Sequence, residues 1–125
     1  MTPTTNVLKV NYYVYEATIL PSAGLKSLSP YKTEFVDTIN FREYDGIFAG
    51  SERFDYVAAL FEGQLHFGSG ETVRFCLTSD DGSKLFINDQ LIIDNDGLHS
   101  DQTKCSSGYF SGRVAVAVEF FEHGR

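Results

Sequence analysis

Short stretches in which apolar and polar residues alternate recur along the chain. Successive side chains of an extended strand point to opposite faces, so an alternating stretch places its apolar residues on one face. No stretch keeps a helical period for more than about two turns. The alternating segments are Asn6–Glu16, Tyr56–Phe67, Glu71–Ser79, Lys84–Asn88, Leu91–Asp94 and Gly112–Glu122. We therefore predict a protein built from β-strands.

The segments between these stretches are rich in turn-forming residues. Leu20–Lys32 contains Ser, Pro and Gly and is predicted to be a long loop, whereas Tyr31–Phe54 is mixed and holds short strands at most. Asp94–Ser111 is polar and is predicted to be irregular. Asp89–Gln90 is predicted to be a two-residue hairpin turn. Many short strands separated by such turns indicate an all-β sandwich or barrel.

Length and charge narrow the classes of function. A chain of 125 residues suits one domain, which we assign to residues 1–125. The net charge of −7 argues against a nucleic-acid partner and an anionic membrane surface, because both bind basic protein faces. No apolar run approaches the roughly 20 residues of a membrane-spanning helix, so direct membrane insertion is not predicted. Cations and neutral ligands remain compatible with this charge.

The cysteines and histidines show no zinc or redox pattern. Cys76 and Cys105 do not form a Cys-x-x-Cys motif, and they are compatible either with one disulfide or with two free thiols. The histidines are His66, His99 and His123. Their spacing does not match a metal site, so we expect each ring to be exposed or hydrogen-bonded.

Two adjacent carboxylates, Asp80 and Asp81, follow an alternating strand and are followed by Gly82. Neighbouring carboxylates repel each other unless a cation or several donors lie between them. A cis bond or a tight turn would bring both to one side. Ca²⁺ takes about six to eight oxygens, of which two Asp side chains supply at most four. Two interpretations of this turn remain open. It is either half of a hard-cation site or a structural turn whose carboxylates accept hydrogen bonds from backbone N–H groups.

A second polar cluster follows the acidic turn. It contains Asp94, Asn95, Asp96, His99 and Asp101. The cluster does not match a calcium-binding EF-hand, because no Glu closes a twelve-residue loop. We expect most of these side chains to be solvated.

Catalysis is not predicted from these motifs. Ser69 stands between two glycines but lacks the surrounding signature of a hydrolase nucleophile. A glycosidase requires two carboxyl groups about 5 to 9.5 Å apart across a substrate groove. Asp80 and Asp81 are adjacent, and a pair joined to one cation would not act in that way.

The order of these segments resembles the protective-antigen-type β-sandwich, the PA14 domain. Its most specific motif, Phe-x-Leu-x-Ser-Asp-Asp-Gly-x-x-Leu-x-Ile, matches Phe75–Ile87. Leu8–Tyr13 looks like the family's opening strand, and Phe61–Leu65 looks like its Trp-x-Gly-x-Leu strand with Phe in the Trp position. Gly112–Gly124 looks like its penultimate strand and the following turn. The resemblance implies an all-β, antiparallel β-sandwich.

The chain departs from the family pattern at one point. Another strand normally follows the turn at Glu122–Gly124, whereas this chain ends at Arg125. The expectation is therefore a sandwich whose last strand is missing, which is either cut short, closed by strand exchange with another chain, or a variant of the family pattern.

The family occurs in bacterial toxins, glycan-processing enzymes and microbial adhesins. In adhesin members, a cis Asp–Asp pair holds one Ca²⁺, a second loop completes the shell, and vicinal hydroxyls of a sugar bind the metal. Carried onto this chain, the resemblance implies Asp80 and Asp81 as metal ligands, with Glu122 more loosely as a third. It also brings Asn95 and His99 near the ligand face.

The function implied is a non-catalytic, Ca²⁺-dependent carbohydrate-binding module of a secreted or cell-surface protein, with a glycan or small sugar as its partner. Two alternatives stay open. One is a structural or protein-interaction domain that needs no metal. The other is an accessory domain of a glycan-processing enzyme.

Overall fold

The computed structural model describes residues 4–5, 8–36, 56–100 and 102–123. These parts of the chain contain strands and one short 3-10 helix, Leu25–Ser27. The strands are β1 (Thr4–Thr5), β2 (Leu8–Val14), β3 (Lys32–Val36), β4 (Val57–His66), β5 (Glu71–Ser79), β6 (Ser83–Ile87), β7 (Gln90–Asn95), β8 (Gln102–Phe110) and β9 (Arg113–Glu122). The predicted all-β class is confirmed.

The strands form two antiparallel sheets. The larger sheet has the order β3-β2-β4-β9-β6-β7, with β1 paired to β4, and the smaller sheet consists of β5 and β8. Apolar side chains from the facing surfaces fill the space between the sheets, as the alternating pattern predicts. This inner core includes Val10, Tyr12, Phe61, Ile87 and Val118 from the large sheet, with Phe75 and Phe110 of the small sheet packed against it. The predicted sandwich is thereby confirmed.

A second core covers the outer face of the large sheet. It consists of Tyr13, Tyr15, Leu20, Leu25, Ala58, Leu60 and Phe121. The predicted loop Leu20–Lys32 is a loop over most of its length, but it folds back so that Leu20 and Leu25 become buried. Strands β2 and β4 therefore carry buried residues on both faces.

The prediction that Asp94–Ser111 is irregular was wrong, because β8 spans Gln102–Phe110. This strand lacks an apolar stripe of its own. Its small residues Ser106 and Gly108 pair with Phe75 and Val73 of β5, which supply the apolar surface. Strand β8 therefore forms because it pairs with β5, although its own composition does not indicate a strand.

The open question about the cysteines is resolved, because Cys76 and Cys105 are directly opposite in the β5–β8 pair and form a disulfide. The hairpin turn between β6 and β7 lies at Asn88–Asp89, one residue before the predicted position. Both residues have positive φ, 51° and 66°, which the common two-residue hairpin turn requires.

Some expectations fall outside what the structure describes. Asp101 of the second polar cluster is one of them, and Gly124 and Arg125 are others. The prediction of a missing last strand and of strand exchange therefore stays a prediction. Within the described residues, no helix is long and apolar enough to cross a membrane.

Candidate functional site

The acidic turn, Asp80–Gly82, carries the chain from one sheet to the other. Strand β5 of the small sheet ends at Ser79, and β6 of the large sheet begins at Ser83. The peptide bond between Asp80 and Asp81 is cis, as the resemblance implied. Asp80 is exposed, whereas Asp81 is only 8% exposed. The two carboxylates therefore differ in their access to solvent.

Backbone hydrogen bonds hold the acidic turn against the end of β9. The Asp81 N–H donates to the carbonyl oxygen of Phe121 at 3.3 Å, and the Phe121 N–H donates to the carbonyl oxygen of Gly82 at 2.9 Å. The Asp81 Oδ2 atom accepts the backbone N–H of His123 at 2.9 Å. His123, the residue that directly follows β9, thus lies beside the Asp81 carboxylate, as a cation site completed by the second loop requires. The same contact also fits a structural turn.

Glu122, the third predicted ligand, is buried at the end of β9. It pairs with Val57 of β4, and directly opposite residues of an antiparallel pair point to the same face. Val57 belongs to the core between the sheets. Among the residues that the structure describes, no three or more His, Cys, Asp or Glu side chains form a group that could hold a metal. A cation at the turn would need further oxygens of other kinds.

Asn95, a predicted sugar contact, is fully buried at the end of β7. Its Nδ2 donates to the Gln102 carbonyl oxygen at 2.8 Å and lies 3.3 Å from both the Leu77 carbonyl oxygen and the Ser79 hydroxyl. Its Oδ1 accepts from Gln102 Nε2 at 2.8 Å. A direct sugar contact would require Asn95 to leave these bonds. The geometry gives it a positioning role, in which it ties β7 to the small sheet.

His99, the other predicted contact, is half-buried beside the acidic turn. Its Nε2 lies 2.7 Å from the Asn95 carbonyl oxygen and its Nδ1 lies 2.8 Å from the Ser100 carbonyl oxygen. Carbonyl oxygens only accept, so each of these bonds requires an N–H on the ring, and the doubly protonated, cationic form satisfies both. Burial alone would lower the pKa of His99, but these two bonds and the charges of Asp81 and Asp80 raise it. A cationic ring next to the turn reduces the repulsion between the carboxylates.

Comparison with known proteins agrees with this architecture. A family model described as the PA14 domain matches residues 14–119. The chain belongs to the PA14 domain family. The search of curated proteins found no match. A solved structure described as a beta-glucosidase from Kluyveromyces marxianus in complex with glucose is similar, with a TM-score of 0.61 and 15% identity. The match covers 90% of this chain and 14% of the beta-glucosidase chain, and at this identity it shows the fold alone.

Close packing explains why the motif of this PA14 domain contains glycine after the two aspartates. A Cβ atom added at Gly82 would lie 2.4 Å from Cε1 of Phe121, 2.8 Å from Oδ1 of Asp96 and 2.8 Å from the backbone nitrogen of Gly97. Real Cβ atoms do not approach other atoms so closely. Gly82 therefore lets the acidic turn pack onto the Asp96–Gly97 segment and the outer core.

Tyr56 is a residue of the site that the sequence did not single out. It directly precedes β4, and its ring lies 5.2 Å from the ring of His123 at an interplanar angle of 80°. Its φ is +56°, a left-handed value that is uncommon for a bulky residue. The pairing of β4 with β9 brings Tyr56 next to His123, the residue whose backbone N–H donates to Asp81 Oδ2.

Proposed function

We propose that this PA14 domain is a non-catalytic, Ca²⁺-dependent carbohydrate-binding module of a secreted or cell-surface protein. The observation that carries the proposal is the exposed Asp80 carboxylate beside Asp81, in a turn packed against the loop after β9. Carboxylate oxygens are hard ligands of the kind that Ca²⁺ prefers. The arrangement supports a small polar site at one end of the sandwich.

In this proposal, Asp80 and Asp81 hold the cation. Glu122, buried opposite Val57 at the end of β9, becomes a weaker third ligand only if its side chain turns away from the core. The ion supplies a positive charge to which neighbouring sugar hydroxyls bind. Two aspartates leave several of the roughly six to eight positions of Ca²⁺ open, for backbone carbonyls, water and the sugar. Adjacent carboxylates are too close to act on the two sides of a glycosidic bond, so no catalysis is proposed.

Further observations support the sugar and the compartment. The half-buried His99 lies beside the acidic turn, and because both of its ring nitrogens are bonded to backbone carbonyl oxygens, His99 and Asn95 are proposed to position the loop at the rim of the site. The similar beta-glucosidase structure was obtained in complex with glucose, which fits a sugar-handling context. The disulfide between Cys76 and Cys105 fits an oxidising compartment, such as the cell exterior.

A second candidate is an accessory or structural domain of a larger glycan-processing protein that needs no metal. Two observations favour it. The described residues contain no group of three or more acidic, His or Cys side chains that could hold a metal. The matched region makes up 14% of the similar beta-glucosidase chain, so this fold occurs within a much longer enzyme.

A thermal unfolding series in EDTA, Ca²⁺ and Mg²⁺ separates the two candidates. A ligand that binds only the folded state raises the melting temperature by mass action, and at about 100 times Kd the gain is about 2.7 kcal/mol. The lectin proposal expects a Ca²⁺-selective rise in melting temperature. The same rise with Mg²⁺, or none with millimolar Ca²⁺, favours the metal-free accessory domain.

Matched variants assign any Ca²⁺ effect to the acidic turn. Asp80→Asn and Asp81→Asn each remove one charge and should abolish the rise. The control is Asp89→Asn, which removes the same charge from the exposed turn between β6 and β7. Asn is well tolerated there because of the positive φ. A Ca²⁺ rise that survives in both turn variants would place the cation elsewhere. Calorimetric titration with D-glucose, D-galactose and D-mannose then tests sugar binding with and without Ca²⁺.

A further inference from the structure

We infer that Tyr56 is the aromatic contact residue of the proposed site, and that its ring favours pyranose sugars with a continuous C–H face beside their vicinal hydroxyls. This inference rests on the proposed function and deepens it, because it names a specificity residue and the shape of the ligand. It assigns a role to a side chain that lies outside the Asp-Asp-Gly motif.

A short chain of contacts connects Tyr56 with the acidic turn. Val57 pairs with Glu122, so Tyr56 and His123 are the next residues at the end of the β4–β9 pair. Their rings meet edge to face with centroids 5.2 Å apart. The backbone N–H of the same His123 donates to Asp81 Oδ2 at 2.9 Å. Tyr56 is thus separated from a proposed cation ligand by one residue.

The exposure of Tyr56 suits a ligand contact. The residue is 38% exposed, whereas Tyr12 and Tyr13 of β2 are buried in the cores. The contact with His123 orients the ring and reduces the rotamer freedom that a ligand would otherwise have to restrict. A partly exposed, oriented aromatic ring next to convergent polar groups is a common arrangement in small-molecule sites.

The backbone at Tyr56 provides a second, independent observation. Its φ of +56° lies in the left-handed region, where Gly or Asn would be less strained. The Tyr56 carbonyl oxygen accepts the N–H of Tyr15 at 2.7 Å, which helps to hold this conformation. A strained, non-glycine residue is often found at a ligand site, because the surrounding structure compensates for its cost.

The chemistry of the two parts of the site defines the ligand. The acidic turn with its cation binds hydroxyl oxygens, whereas the tyrosine ring offers an apolar face and a polar tip. A pyranose matches both, because hydroxyls project from one region of the ring while its C–H bonds form an apolar surface. A flexible polyol or a carboxylate has no such surface and gains nothing from the ring.

The first test separates sugar binding from cation binding. Tyr56→Asn removes the ring and places a residue that tolerates positive φ, so the folded state should be retained. Tyr56→Phe retains the ring, and Tyr109→Asn removes an exposed tyrosine from the far end of β8. For each variant, the Ca²⁺-induced rise in melting temperature and the affinity for D-glucose, D-galactose and D-mannose are measured separately.

We expect Tyr56→Asn to weaken sugar binding about two- to ten-fold and to leave the Ca²⁺-induced rise unchanged. Tyr56→Phe and Tyr109→Asn should behave like the parent protein. Unchanged sugar affinity in Tyr56→Asn overturns the inference while the proposed function stands. Loss of the Ca²⁺ rise in that variant also overturns it, because Tyr56 would then act on the turn itself. A parent protein that binds Ca²⁺ but no sugar overturns both.

A fluorescent reporter tests direct contact. The chain contains no Trp, so Tyr56→Trp introduces a single indole at the site, and Tyr109→Trp provides the matched control. A sugar that stacks on the ring changes its environment. We expect a saturable change of indole emission on adding sugar to the Ca²⁺-loaded Tyr56→Trp protein and none in Tyr109→Trp. Equal responses, or sugar binding without a response at position 56, contradict the contact.

Discussion

Two neighbouring regions of the molecule use carboxylates in different ways. In the strap, which we define as Leu20–Leu28, an acid of β9 and an acid that follows β7 hold a loop onto the outer core. Both carboxylate oxygens of Asp96 accept the N–H of Leu20, at 3.0 and 3.1 Å, and Glu119 Oε2 accepts the N–H of Leu25 at 2.7 Å. These acids bind the protein's own backbone.

In the acidic turn, by contrast, Asp80 is exposed, and the neighbouring Asp81 accepts one backbone N–H from the loop after β9. The difference separates structural acids from candidate ligand-binding acids, although Asp96 packs directly against Gly82 of the same turn. A carboxylate that holds a buried backbone donor is costly to release. Asp80 is more exposed than Glu119, so a ligand reaches the turn more readily than the strap, and the proposed site is therefore the turn.

Gly82 joins the two regions, and we expect its substitution to have the largest effect. Gly82→Ala places a Cβ atom within 2.4 Å of Phe121 and 2.8 Å of Asp96 and Gly97. Such overpacking should lower the free energy of unfolding by about 2–4 kcal/mol. Urea denaturation of the parent and the variant measures the difference.

Gly97→Ala is the control for this prediction. An added Cβ there meets no described atom within 4 Å, but φ is +101°, so only backbone strain of about 1–2 kcal/mol is expected. An equal or larger loss in Gly97→Ala would show that the regions are not packed together through Gly82.

The sequence predicted the acidic turn more fully than the strap, for a physical reason. The alternation around Asp80 and Asp81 fixes the ends of two strands, and the turn between them is local. The strap depends on contacts distant in sequence, such as Glu119 with Leu25, which no periodicity reveals. The polar strand β8 was missed for the same reason, because its partner β5 supplies the apolar surface. Asn95 was assigned to the ligand face from the family resemblance, whereas its burial depends on contacts between β7 and the small sheet that no local pattern reveals.

A pair of alanine substitutions tests the distinction between the two regions directly. Asp96→Ala leaves the backbone N–H of Leu20 without its acceptor, and it should lower the free energy of unfolding by about 1–3 kcal/mol. Asp80→Ala should lower it by about 0.5 kcal/mol or less without Ca²⁺, because water replaces the contacts of an exposed carboxylate. Chemical denaturation in EDTA measures both. Equal losses would remove the distinction.

The smallest expected effect is the pH dependence contributed by Glu119. This side chain is 4% exposed, and burial raises its pKa, with Asp96 acting in the same direction. The bond from Leu25 and the charges of Lys84 and Lys26 lower the pKa without cancelling the rise. Among the described residues, no donor lies within hydrogen-bond reach of its Oε1. Ionised Glu119 is therefore less favourable in the folded protein than in the unfolded chain.

The sign of the effect follows from that shift. A raised pKa in the folded state means that the folded protein binds the proton more tightly. The stability that protonated Glu119 contributes is complete below its unfolded pKa and is lost as the pH rises through the raised folded value. Glu119→Gln cannot ionise and should lack this loss. The free energy of unfolding of the variant should therefore increase relative to that of the parent as the pH rises above about 4.3, the ordinary pKa of Glu.

Subtracting parent from variant at each pH removes the contributions of the other titrating groups. Glu16→Gln, at an exposed glutamate, controls for the change in net charge. The free energy of unfolding of Glu119→Gln, minus that of the parent, should rise with pH more than the same difference for Glu16→Gln. This result would show that the ionised Glu119 beneath the strap destabilises the folded protein. A difference that falls with pH would mean that ionised Glu119 is stabilised by its bond to Leu25, and that the strap and the acidic turn both favour the charged carboxylate.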